Sequence, residues 1–288
     1  MQKIIYVPPN GNDETDRVVL ALEEPYLLSE IKGLGGAENT IISSDIAGVQ
    51  GSVYHGFRKS PRVIDCTVYV CGKSRADMYR ERLRLIGLLK PSRQPGTAYY
   101  SNNYISVKIP AVVSLPPDFV KRIKNYNQAA LQLWCPDPDW LSLETKTVSI
   151  AAMENIGFTL PFSFPISFSH INNQVTVNNE GTASAPVIIT ITGPGENPAV
   201  INLTNGQKIA LNRKTLTSDE QLMINTEKGK KSVRLLKNGI ITDAFQYIDP
   251  VSKFWELEPG KNEIRYSSDD NAEATRITIT FTERYEGV

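Results

Sequence analysis

The chain has 288 residues, and its 31 Lys and Arg are balanced by 31 Asp and Glu, so the formal net charge is zero. That balance argues against a general nucleic-acid binder, which needs a basic excess to displace counterions from phosphate. The 41% hydrophobic and 22% charged fractions are those of a globular chain long enough for two cores.

No apolar run approaches the roughly 20 residues that cross a bilayer. The apolar stretch near Met1 is too short for a signal peptide, so the chain is expected to stay where it is made. Arg17–Leu22 and Tyr26–Ile31 read as strands joined by a turn at Pro25, and Gly33, Gly35 and Gly36 mark a loop. Ser52–Phe57 and Arg62–Val70 read as further strands, separated by Ser60-Pro61. One helix is expected, over about 74–90. Ser74 caps it, Asp77 favours the positive end of its dipole and Pro91 stops it. Ala76, Tyr79, Leu83, Ile86 and Leu89 or Lys90 recur at helical spacing and predict a buried stripe.

Strands resume at Ala98–Tyr100 and Tyr104–Ile109. A polar loop at Pro116-Pro117-Asp118 then leads to a last strand over Ala129–Cys135, which Pro136 and Pro138 end. Gly157–Phe168 alternates Phe or Pro with small polar residues and reads as an extended connector. The second half is punctuated by Asn179-Glu180-Gly181, Gly193-Pro194-Gly195, Asn197-Pro198, Asn205-Gly206, Lys228-Gly229, Asn238-Gly239 and Pro259-Gly260. Asn-Gly is a strong hairpin signal, because both central residues of a type I′ turn need positive φ. From Gln174 onward the chain reads as about nine short strands, suited to a two-sheet sandwich of jelly-roll type.

Groups able to do chemistry are sparse. Cys66 and Cys71 lie five apart in one strand, an odd separation that points them to opposite faces and opposes a shared metal or disulfide. With Cys135 they read as reduced, mostly buried thiols. His55 and His170 lack neighbours of metal-ligand type. Gly33-Leu34-Gly35-Gly36-Ala37-Glu38 ends on a carboxylate where a dinucleotide loop wants Gly or Ala, so it reads as a plain loop. The acid pairs Asp137/Asp139, Glu256/Glu258 and Asp269/Asp270 read as solvated, and no catalytic residue, metal ligand or cofactor site is assigned. Two surfaces are singled out. Arg80 and Arg84, one turn apart and away from the apolar stripe, form a partner-binding helix face. Trp255, beside Phe254 on a strand, is a candidate carbohydrate contact, although core packing is the simpler role for all three tryptophans.

Taken in order, these marks resemble the distal tail protein family of long-tailed (siphovirus-type) phages and prophages. The N-terminal matches are Tyr26–Gly35, Gly51, Ser60–Ile64, Leu88–Pro91 and Cys135–Trp140. The C-terminal ones are Asn178–Gly181, Pro186, Gly193, Asn197-Pro198 with Asn202, Thr204–Gly206, Ile224–Thr226, Gly229–Val233, Phe254–Leu257, Pro259–Asn262 and Tyr285–Val288. Asn225 departs from the pattern, which has Asp there.

The resemblance implies a mainly β fold with one helix. Residues 1–145 would form a β-sandwich or split-barrel-like ring domain carrying that helix, 146–172 an extended connector, and 173–288 a galectin-like or jelly-roll-like sandwich. It further implies a non-enzymatic baseplate hub in the virion tail, assembled in the bacterial host cytoplasm. Six copies would form a ring joining the tail tube protein to tail-tip, lysin or fibre proteins, with no membrane or specific nucleic-acid partner. The alternative is a carbohydrate-binding module that attaches to bacterial wall polysaccharide.

Overall fold

The computed structural model describes residues 2–9, 11, 15–151, 153–154, 171–270 and 275–288. The expected connector Gly157–Phe168 and His170 lie outside the described residues. The chain divides into two compact units, Met1–Leu143 with Arg284–Val288, and Glu144–Glu283.

The first unit is built on β1 (Lys3–Val7), β2 (Val18–Leu20), β3 (Tyr26–Lys32), β4 (Asn39–Asp45), β5 (Ser52–Lys59), β6 (Arg62–Cys71), helix α1 (Arg75–Leu88), β7 (Gly96–Ser101), β8 (Ser106–Ile123), β9 (Tyr126–Cys135) and β10 (Trp140–Ser142). Its main sheet runs β2-β1-β7-β8-β9-β6-β3, and β10 pairs with both β8 and the returning Arg284-Tyr285. Period-two alternation sends Ile64, Cys66, Val68 and Val70 of β6 and Ala129, Leu131 and Leu133 of β9 into one core. The helix adds Met78, Leu85 and Leu89 to that core. All three cysteines are buried and free, and burial pushes the Cys66 and Cys135 thiols up to about 12.

Pro116-Pro117-Asp118 is not a loop. β8 continues through it to Ile123, and the pairing with β9 skips from Leu115–Gln132 to Asp118–Ala130. Two prolines offer no ladder donors, so the strand bulges past them and resumes.

The second unit has two main sheets. One is ordered Lys146–Ala151, Arg276–Phe281, Ala185–Thr192, Glu220–Asn225, Ser232–Lys237, Ile240–Asp243, and the other Gln174–Asn179, Gly260–Ser267, Ala199–Asn202, Gln207–Ala210. Their facing side chains, among them Val177, Ile189, Val200, Leu222, Ile264 and Ile279, form its core. Asn238 and Gly239 have φ of 50° and 78°, the hairpin geometry their sequence predicts.

Two boundaries differ from the sequence reading. Lys146–Ala151, expected in the connector, is an outer strand paired along its length with Arg276–Phe281. Arg284–Val288, expected at the end of the sandwich, belongs to the first unit. Neither shows in local sequence, because both depend on which distant strand edge is left open.

Candidate assembly surface

β4 and β5 form a two-stranded sheet of their own, separate from the main sheet. Ile46–Gly51 turns the chain, with Gly48 and Gly51 at φ of 83° and 90°. The pairing passes from Ile42–Gly56 to Ser43–Tyr54, leaving His55 as the extra residue of a bulge. Gly56 stands there at φ 145°, a conformation that side-chain-bearing residues rarely adopt. All of β4 is exposed, as is all of β5 except Gly56 and Lys59.

This arm is nonetheless apolar. Ile41, Tyr54 and Phe57 share one face, Ile42 and Val53 the other, and Ile46 and Val49 occupy the tip; Ile41 is 60% exposed. An isolated hairpin is marginal in water, and contiguous exposed apolar surface marks an interaction site. Its two strand edges also offer unpaired backbone groups to another chain.

The base of the arm is fastened by a buried cation. Arg62, 2% exposed, donates Nε to Pro138 O at 2.7 Å, Nη1 to Gly33 O at 2.5 Å and to Gly35 O, and Nη2 to Glu286 O at 2.5 Å. Its guanidinium lies 5.7 Å from the Trp140 ring centroid. Burial lowers its pKa from the ordinary value, but an arginine keeps its charge at any ordinary pH. Beside it Lys59 bonds Asp139 at 3.0 Å and Glu286 at 2.8 Å. Burial works against the Lys59 charge, the two carboxylates outweigh it, and its pKa ends raised. Two backbone bonds complete the base: Val288 N–H to Leu34 O at 2.9 Å and Ser60 N–H to Glu38 O at 2.8 Å.

The sequence-predicted residues distribute unevenly around this surface. Helix α1 has the expected cap, with Asp77 N–H donating to Ser74 Oγ at 3.1 Å. Its expected buried stripe holds only at Leu89, which is buried; Ala76, Tyr79, Leu83 and Ile86 are exposed, Leu83 by 72%. The packed face reaches Leu89 through Met78 and Leu85 instead, a second path at helical spacing that equally satisfies the periodicity. Arg80 and Arg84 are exposed beside the uncovered apolar residues, and Arg80 bonds Asp77 at 3.1 Å. Arg82 lies over Phe119 at 4.0 Å, and Arg122 bonds the Tyr79 hydroxyl at 2.8 Å.

Trp255 is 1% exposed, with Nε1 donating to Val200 O at 3.4 Å. Its ring is core and presents no face to a sugar. Phe254 and Trp255, expected on a strand, lie just ahead of the short strand Glu256–Leu257; Phe254 is partly buried and stacks on the exposed Phe245 at 5.9 Å. The acids Asp137 and Asp139 pair with Arg284 and Lys59. The Gly33–Gly36 loop turns carbonyls toward a guanidinium, the opposite polarity to the N–H groups of a phosphate cradle. At Gly33 a Cβ would lie 1.9 Å from Val63 O, so glycine is required. Asn225 Oδ1 accepts the Glu227 N–H at 2.9 Å, a turn bond that Asp would make equally. Among the described residues no three His, Cys, Asp or Glu gather as metal ligands.

β4, the first strand of the arm, is absent from the sequence reading. Asn39-Thr-Ile-Ile-Ser-Ser-Asp45 followed by Gly48 and Gly51 carried the hairpin signal, but its apolar residues follow no buried alternation.

Two family models match the chain. A phage tail protein RIFT-related domain covers residues 16–135, and the C-terminal domain of the siphovirus-type tail component covers residues 180–285. Together they span more than three quarters of the 288 residues. No curated protein matches in sequence. Among solved structures, the SPP1 Dit (gp 19.1) protein, described as a paradigm of the hub adsorption apparatus in Gram-positive infecting phages, is 16% identical. The match covers 99% of both chains with a TM-score of 0.68. A chain of the phage P2 baseplate in its activated conformation with Ca is 15% identical at a TM-score of 0.46, covering 100% of this chain and 99% of that one. The first of these likenesses establishes the fold.

Proposed function

Because the chain belongs to the siphovirus-type tail component family, we propose that it is the distal tail protein of a phage or prophage, a structural baseplate hub. Six copies form a ring that joins the tail tube protein to the host-adsorption apparatus of tail-tip, lysin or fibre proteins. The protein works in the virion tail after assembly in the bacterial host cytoplasm, and its task needs no catalysis.

The arm Asn39–Lys59 carries the reading, because a hairpin apolar on both faces and uncovered on both is built to be buried by another chain. A closed ring uses heterologous contacts, in which one patch of a subunit meets a different patch of the next. The exposed Tyr79, Leu83 and Ile86 of α1, with Arg80 and Arg84 beside them, are a second patch on the same unit.

Mass photometry of the purified chain, with and without the tail tube protein, tests the ring. The parent is expected to give a closed hexamer. The double variant Ile41→Asp, Phe57→Asp, which charges one face of the arm without touching either core, is expected to stay monomeric. A variant that assembles as the parent does removes the arm from the interface. A chain missing from purified tails removes the hub.

A further inference from the structure

The assembly reading leaves the residues after the second unit without a task, although they lie against the base of the arm. We propose that Glu286–Val288 is a latch that fixes the direction of the β4–β5 arm through Arg62 and Lys59. This rests on the reading of the arm as the assembly element, but its geometry is independent of it.

Arg62 begins β6, directly after the arm, and Gly33–Gly36 directly precede it. One guanidinium therefore holds the loop that leads into the arm by Gly33 O and Gly35 O. It holds the returning segment by Glu286 O, and the β9–β10 turn by Pro138 O. Val288 closes the other side on Leu34 O, and the Glu286 carboxylate reaches Lys59 at the last residue of the arm.

The backbones meet with no room to spare. A Cβ on Gly287 would lie 2.8 Å from the Gly35 carbonyl carbon and 3.1 Å from Gly36 N. Without the segment, the base of the arm would lose the Glu286 carbonyl from Arg62, the Glu286 carboxylate from Lys59 and the Val288 bond to Leu34, and would keep Lys59 on Asp139 and Arg62 on Gly33, Gly35 and Pro138.

The order of the chain gives the latch a consequence. The arm comes at residues 39–59 and the latch at 286–288, after the whole of the second unit. A chain made only as far as the second unit therefore carries an arm with an unset base, and the arm is set in one direction once Glu286–Val288 have followed. Prepaying the order of a binding element lowers the cost of association.

Hydrogen exchange on the full chain tests this. Gly287→Val drives a side chain into the Gly35 backbone and is expected to speed exchange at Val288, Ser60 and the arm amides about tenfold or more. Ile64–Val70 and the second unit should keep parental protection. If that variant does not fold, the smaller Gly287→Ala makes the same intrusion and is read in the same way. Parental exchange at the arm base in a folded variant overturns the latch, as does a uniform acceleration across the first unit. Ile41→Asp, Phe57→Asp is the control: it should abolish assembly and leave exchange at Val288 and Ser60 unchanged. Failure of the ring and failure of the latch thus appear in different measurements.

Discussion

Glu220 is buried between two cations. Its carboxylate accepts the Thr217 N–H at 3.0 Å and meets Lys214 at 3.1 Å and Lys237 at 3.3 Å. Burial raises its pKa, the hydrogen bonds and the two ammonium groups outweigh that, and the net shift is downward from 4.5. A carboxyl whose folded pKa is depressed stabilises fully above its unfolded value and loses that contribution as pH falls through the folded one. The second unit should therefore weaken as pH drops below about 4.5. Glu220→Gln removes the charge but keeps an acceptor for Thr217. It should cost about 1.5–3 kcal/mol at neutral pH, and that cost should shrink on acidification. Urea unfolding of parent and variant between pH 6 and pH 3 reads this directly, and a pH-independent difference rules it out. At the same scale, Trp255 shows the limit of sequence. Alternation in a strand would place Phe254 and Trp255 on opposite faces, but the two residues precede the strand Glu256–Leu257, and Trp255 is core because its ring meets Val200 on a distant strand.

The helix carries the same lesson at the scale of an element. Its limits were legible, since Ser74, Asp77 and Pro91 are local signals and the element runs Arg75–Leu88. Its orientation was not, because Tyr79-Leu83-Ile86 and Met78-Leu85 both lead to Leu89 at helical spacing, and only the sheet beneath selects between them. This selection has a measurable consequence. Leu83→Lys in the monomer should shift stability by no more than about 0.5 kcal/mol, as surface changes do. A buried leucine would cost several kcal/mol. If thermal or urea unfolding shows a loss of that larger size, the helix packs with the other face. The arm was half legible for a related reason. Ser52–Phe57 has the β-branched and aromatic content of a strand. Its partner hides because apolar residues on both faces give no period-two burial pattern, which is what a surface meant for another chain looks like in one dimension.

At the scale of the molecule, the turn-rich second half is an insertion rather than an appendix. The chain leaves the first unit at Leu143 and re-enters it at Arg284. These points lie on paired strands, with Trp140 opposite Tyr285 and Leu141 opposite Arg284. The cores are separately closed, one around Ile64, Met78 and Leu131 and the other around Ile189, Leu222 and Trp255. An insertion whose ends sit side by side is removable in principle, since the host needs only a hairpin to close the gap. Joining Leu143 to Arg284 through Asn-Gly should give a folded first unit with the Arg62 contacts intact, because every residue that supplies them lies outside Glu144–Glu283. The complementary piece, Glu144–Glu283, should fold by itself on its two sheets. Calorimetry of the two pieces checks both expectations, each giving one cooperative transition. An excised first unit that expresses only as an unfolded chain would mean that the second unit holds its neighbour together, and would make the two units one folding body.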